Sequence, residues 1–393
     1  MAESAGESAF TDSELRDLLG DGPVDFPLHS GVVFKPWHRP RKQYVRHNQW
    51  YKQVDYLVRD LKLDNGELHY LTLPGSDFID VRHLLGTVCK KRNMTMRYLG
   101  FDTAALPSAE EQPAFDSAQY SVKRLSSVNP MSTVFGDDVR RVGDKASEAW
   151  VGMRDAGPYH VVNLDLCAAF AGPHSDTSIP TYFSAMQNIL EYQGAAQQGF
   201  VLLLTTRIDD DSVSDDSSDR LHKGVERLFE SCQTFTSAFT DAWDISNVEV
   251  PYSALGAMKS FEAFMLGLAR WIVGRGVHFG LKASVHNFYT YRTGSGTEGD
   301  DDLVSFAIRF TADPVVYKDP LGLVQEPSGQ LSEFERECQQ SLSIPERVVS
   351  RVAVDQVMRD DSVQRAVCVE ASAKLLAGAG YDVSEYRRWA TYN

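Results

Sequence analysis

The chain is poor in the features that most often allow an early assignment. Only five of its 393 residues are cysteine: Cys89, Cys167, Cys232, Cys338 and Cys368. They form no CxxC pair and have no histidine at metal-ligand spacing, which excludes a zinc finger or ribbon and a dense disulfide scaffold. The expectation is reduced thiols, no metal and a cytoplasmic location. No run of about 18 consecutive apolar residues occurs, so neither a transmembrane helix nor a membrane partner is expected. The first twenty residues are acidic and lack the basic-then-apolar layout of a secretory leader. Walker lysine, HExxH and GxSxG motifs are absent, which lowers the standing of P-loop nucleotide hydrolysis, zinc chemistry and serine hydrolysis. No internal repeat is present, so the chain is not a solenoid.

Basic residues are scarce too, 39 Lys and Arg against 54 Asp and Glu, for a formal net charge of −15. That balance argues against a chain coated in nucleic acid. The charge is unevenly distributed. Residues 35–62 carry eight Lys or Arg against Asp55 and Asp60, whereas residues 209–219 hold six aspartates and no cation. Arg39, Arg41, Lys42 and Arg46 are interleaved with Trp37, Tyr44 and Trp50, which makes the basic stretch a candidate contact for nucleic acid or for a protein partner. The competing reading is a helix with aromatics in the core and cations in water. If this helix packs near the strand ends, Lys42 and Tyr44 instead help close a pocket.

What the sequence does contain is alternation. Thr11 and Glu14 suggest a capping box on a short peripheral helix. Beyond Pro40, the residues Trp50, Val54, Leu57, Val58 and Leu61 recur at helical spacing as one apolar stripe. From Gly66 onward, short apolar runs end in Gly or Asp and are separated by helix-length segments. The runs are residues 68–73, 96–102, 132–138, 159–166 and 200–206. Continuous hydrophobicity of this kind marks strands covered on both faces, and strand–helix alternation marks a parallel, doubly wound sheet. An amphipathic helix through Leu221, Val225, Leu228, Phe229 and Cys232 comes next, then a buried helix over 255–273. Residues 278–293 and 303–312 read as an antiparallel hairpin, and helices are expected over 334–342, 345–357 and 363–377. The organisation is an acidic arm (1–30), a basic helical segment (31–65), an α/β domain (66–320) and a helical extension (321–393).

Five parallel-type strands, a helix and a terminal hairpin over roughly residues 66–313 resemble the class I S-adenosylmethionine-dependent methyltransferases. The resemblance implies a Rossmann-like, mostly parallel seven-stranded sheet and S-adenosylmethionine as cofactor, with methyl transfer to nucleic acid, protein or a small molecule. It places Gly75 at the turn nearest the methionine part. Asp102 falls at the ribose hydroxyls, Asp137 or Asp138 near the adenine, and Asp165 with Cys167 on the acceptor side. The first motif, LTLPGSDFIDVR, offers one glycine and Pro74 where the family usually has an acid and several glycines, so Asp77 stands in for that acid. The amino-methylating motif is absent after Asp165, and Leu166 precedes Cys167 where a cysteine-nucleophile enzyme has proline. The rival reading is a catalytically inactive scaffold subunit of a larger bacterial assembly, one that acts on nucleic acid.

Overall fold

The computed structural model describes residues 33–245, 255, 258–294, 301–313 and 331–392. The expected acidic arm with its capping box, and most of the hairpin turn, lie outside these. Among these residues, nine strands form one mixed sheet. Five are parallel, in the order β3 (Thr133–Phe135), β2 (Thr95–Phe101), β1 (Glu67–Thr72), β4 (Val161–Asp165) and β5 (Phe200–Arg207). Strand β8 (Leu303–Ala312) runs antiparallel to β5. Against it lie β6 (Leu281–Val285) and β7 (Tyr289–Tyr291), both antiparallel, and β9 (Val352–Ala353) adds to β7 in parallel.

The five parallel strands coincide with the five apolar runs. The expected seven strands become nine for two reasons. The run 278–293 is not one strand: Val285 pairs with Ile308 and Tyr289 with Ser305, so three residues on one side face two on the other. Such an extra residue is a bulge, which bends the strand and re-aims the residues beyond it. The second reason is β9, a short segment inside the helical extension. It splits the helix expected over 345–357 into Ile344–Val349 and Val354–Asp360.

Alternation sorts the sheet's side chains onto two cores. Leu71, Leu99, Val162, Leu164, Leu202, Leu204 and Ile308 face one layer. Its helices include Tyr182–Ala195, Asp215–Ser231 and Ser260–His278. Tyr70, Tyr98, Val161, Val201, Leu203 and Ala307 face the other. That second layer is built largely from the N-terminal helix, which runs through α1 (Pro40–Val45), a π-helical stretch Arg46–Tyr51 and α2 (Lys52–Asp60). Trp50, Val54, Leu57 and Val58 are all but fully buried, as the stripe predicts.

The helical extension folds back over the N-terminal helix. Ala373, Leu375, Leu376, Tyr381, Tyr386 and Ala390 form a third small core with Ile79 and Phe34. The expectation of five dispersed thiols is corrected at one pair. Cys232 and Cys338, 106 residues apart with Cα atoms 6.1 Å from each other, are joined by a disulfide, while Cys89, Cys167 and Cys368 are free. Spacing alone could not reveal this, because the pair meets only when two helices pack. Among the described residues no helix is long and apolar enough to cross a membrane.

Burial also holds several imidazoles neutral. His47 is pushed down to about 2, His83 to about 3, and His160 and His286 to about 4, in each case mainly by desolvation. The unfolded chain binds protons at these sites below about pH 6.5 and the folded chain does not, so stability is lost as pH falls. Asp102 and Asp355, raised by burial, pull the other way, two carboxyls against four imidazoles. The expected loss is at most about 1.4 kcal/mol per pH unit for each fully buried imidazole. Thermal denaturation should therefore show a falling Tm from pH 7 to pH 5. A flat profile across that window would contradict the buried neutral assignment.

Candidate functional site

In open α/β sheets a ligand crevice forms beyond the carboxyl ends of the strands, where neighbouring strands' connections leave in opposite directions. Here the reversal falls between β1 and β4. The segments leaving those strands are Leu73–Pro74–Gly75 and Asp165–Leu166–Cys167.

The turn after β1 is held open by its backbone. Gly75 has φ +60°, a conformation natural to glycine, and a Cβ built there would meet nothing within 4 Å. Across from it, Asp102 ends β2 and its carboxylate accepts the N–H groups of Ala104 (2.9 Å) and Gly75. Burial raises this carboxyl and the two N–H groups temper the rise. A carboxylate accepts about four hydrogen bonds, so this one keeps acceptor capacity. Among the described residues no cation pairs with it.

Asp77 is differently placed. It accepts from His38 (3.0 Å), from the Tyr381 hydroxyl (2.8 Å) and from Trp37. Burial would raise this carboxyl, but those hydrogen bonds outweigh it and hold it low. The backbone N–H of Lys35 donates to His38 Nδ1, which leaves Nε2–H to face Asp77. Asp77 therefore latches both ends of the described chain onto the β1 turn. Asp137 and Asp138 act locally. Asp138 caps the turn Val139–Gly143 and pairs with Arg140, while Asp137 pairs with Arg141.

Asp165, at the end of β4, is partly buried and paired. It receives Lys42 Nζ at 2.5 Å, and the same ammonium donates to the Tyr291 hydroxyl at 2.9 Å and Thr205 Oγ1 at 3.5 Å. The ammonium lies 4.3 Å from the centre of the Trp50 ring. Thr205 bonds Ser305, which also accepts from Trp50 Nε1. Register explains the grouping. Asp165, Thr205, Ser305 and Tyr289 lie in one row across four strands, one step beyond the apolar rows. Burial pulls the Lys42 amine down, and Asp165, with Tyr291 and Asp80 behind it, more than reverses that.

Cys167 is exposed, and its thiol is pushed up, first by desolvation and then by Asp165. An activated nucleophile needs the opposite shift.

The four cations expected at a contact surface are not on the surface. Arg39, Arg41, Lys42 and Arg46 are between 2% and 7% exposed. Arg41 pairs with Asp355, Arg46 with Asp80 and Lys42 with Asp165, while Arg39 donates to the Gly294 carbonyl. The expectation of a solvated basic face is thus corrected, because each cation reaches an acceptor under the helix. The alternative placement of Lys42 at the strand ends is the one found, and Tyr44 packs 6.0 Å from Tyr289. Thr205, Ser305 and Tyr291 do not stand out in the sequence. Their signal is a polar residue at the end of an otherwise apolar strand.

A family described as PP_RS20740-like matches residues 32–391. The chain belongs to that family. The match takes in the N-terminal helix and the extension together with the sheet, in keeping with β9 being a strand of that sheet. No curated protein matches the chain.

The Lys42–Asp165 pair makes a graded prediction. Asp165→Asn strands an ammonium that is 3% exposed, whereas Lys42→Met strands a carboxylate that keeps 17% of its surface. Breaking a buried pair typically costs about 3–5 kcal/mol. Chemical denaturation should place Asp165→Asn in that range and Lys42→Met below it. The reverse ranking would contradict the depth assigned to the pair.

Proposed function

We propose that the crevice between β1 and β4 binds a nucleoside-bearing ligand, with S-adenosylmethionine the preferred candidate, and supports methyl transfer to an acceptor. The observation that carries this is Gly75 facing open space beside the Asp102 carboxylate, at the point where the strand order reverses. A glycine without neighbours lets a ligand approach the backbone, and a strand-end carboxylate suits a ribose diol. The five parallel strands followed by antiparallel ones support the Rossmann-like resemblance. On this reading Asp165 and Cys167 lie towards the acceptor. Asp77, Asp137 and Asp138 have structural work instead, and the reading does not use them for the cofactor. When bound, the cofactor would supply the methyl group. The chain's part is to orient and to exclude water. A cytoplasmic location belongs to the same proposal, with the Cys232–Cys338 bridge as the observation against it.

One observation favours the second reading, an inactive scaffold subunit. Asp77 and Asp165, two of the carboxylates nearest the crevice, already have internal partners. Calorimetric titration separates the two readings. S-adenosylmethionine or S-adenosylhomocysteine should bind with micromolar affinity (about −8 kcal/mol). Asp102→Asn, which keeps a good capping residue, should weaken binding at least about tenfold. No heat from the folded wild-type protein with either ligand would move the assignment to the scaffold.

A further inference from the structure

Where α1 meets the β7–β8 hairpin, two guanidiniums have no carboxylate partner among the described residues and each keeps an unbonded nitrogen. Arg39 is 7% exposed, and its guanidinium donates to the Gly294 carbonyl and lies 5.8 Å from the Trp389 ring centre. Its Nε is buried with no hydrogen-bond partner. Arg292, half-buried at the end of β7, likewise has Nη1 buried and unbonded. Neither guanidinium forms an ion pair among the described residues.

Two nearby carboxylates, Asp355 and Asp302, are committed elsewhere. Asp355 takes the Arg41 guanidinium at 3.1 Å and the backbone N–H of Arg292 at 3.0 Å. Asp302 takes the backbone N–H of Thr293 at 2.7 Å and the Thr293 hydroxyl. Among the described residues, Arg41 and Arg292 lie close enough to Arg39 to repel its charge, and Asp355 and Asp302 offset that repulsion. Buried charges are normally paired, because an unpaired one costs several kcal/mol of desolvation. Two neighbouring arginines with orphaned nitrogens are therefore an arrangement that a bound anion would complete.

We propose that Arg39 and Arg292 form an anion-binding site for a phosphate group. A planar carboxylate is satisfied by one guanidinium fork. Donors from two separate forks suit an oxyanion whose oxygens lie off one plane. The site uses neither Gly75 nor Asp102, so it stands or falls separately from the methyl-donor reading.

The test is thermal denaturation of the full chain in inorganic phosphate, glycerol 3-phosphate, acetate and chloride at equal ionic strength. Phosphate should raise Tm above the chloride value, and acetate should not. An equal or larger rise with glycerol 3-phosphate identifies the phosphate of an organic substrate, and a rise with inorganic phosphate alone identifies free phosphate. Arg292→Gln should fold with an undiminished Tm in chloride, since it removes a repelling cation. It should shift the phosphate midpoint at least about tenfold (about 1.4 kcal/mol). Phosphate acting no differently from chloride, or a phosphate effect unchanged in Arg292→Gln, would overturn the site. A matching rise with acetate would overturn its assignment to phosphate.

Discussion

An ammonium cannot lie against the face of a β-sheet unless a fixed partner is waiting for it, and Lys42 lies there. Its position next to Asp165 sets the depth and rotation of the N-terminal helix. Once Lys42 points at the end of β4, helical spacing turns Arg46 towards Asp80 and Trp50 towards Ser305. The apolar stripe from Val54 to Val58 then falls onto the middle of the sheet. The polar row Asp165, Thr205 and Ser305 and the cations of α1 are complementary halves of one surface. Such pairs contribute little net stability relative to apolar packing, but their geometry is unforgiving. Here they fix register between a helix and a sheet that are distant in sequence.

The same end of the sheet gathers the rest of the chain. Asp77, just past β1, holds His38 from the N-terminal side and Tyr381 from the C-terminal side. Tyr386 closes the circuit by donating to the His38 carbonyl at 2.7 Å. Arg41 ties α1 to Asp355, which in turn holds the backbone of β7. The extension is therefore a wall around the strand ends and not an appendage. What stays open between these contacts is the space before Gly75, with Asp102 beside it.

Much of this is legible in the sequence. A parallel strand covered on both faces is apolar along most of its length, and residues 159–166 and 200–206 are, apart from polar positions such as Asn163, Asp165 and Thr205. The stripe from Trp50 to Leu61 could bury only one face, and it does. The basic half of the same helix misleads, because charge signals solvent unless a partner is known. Those partners, Asp80, Asp165 and Asp355, lie 34, 123 and more than 300 residues away from their cations. The bulge at residues 286–288 and the two-residue β9 are hidden for a related reason. Both are set by which strand lies alongside and not by local preference. At the candidate site, Gly75 and Asp102 can be read from strand endings, whereas the occupation of Asp77 by His38 and Tyr381 requires the fold.

The central claim is that the N-terminal helix is part of the core that the sheet needs, locked by Lys42. Native-state hydrogen exchange measures this directly, since amides that open only with global unfolding share one protection factor. Residues of the π-helical stretch and α2 should exchange as slowly as those of β4 and β5. Exchange of that helix well ahead of the strands would mean a peripheral arm, and would contradict the account.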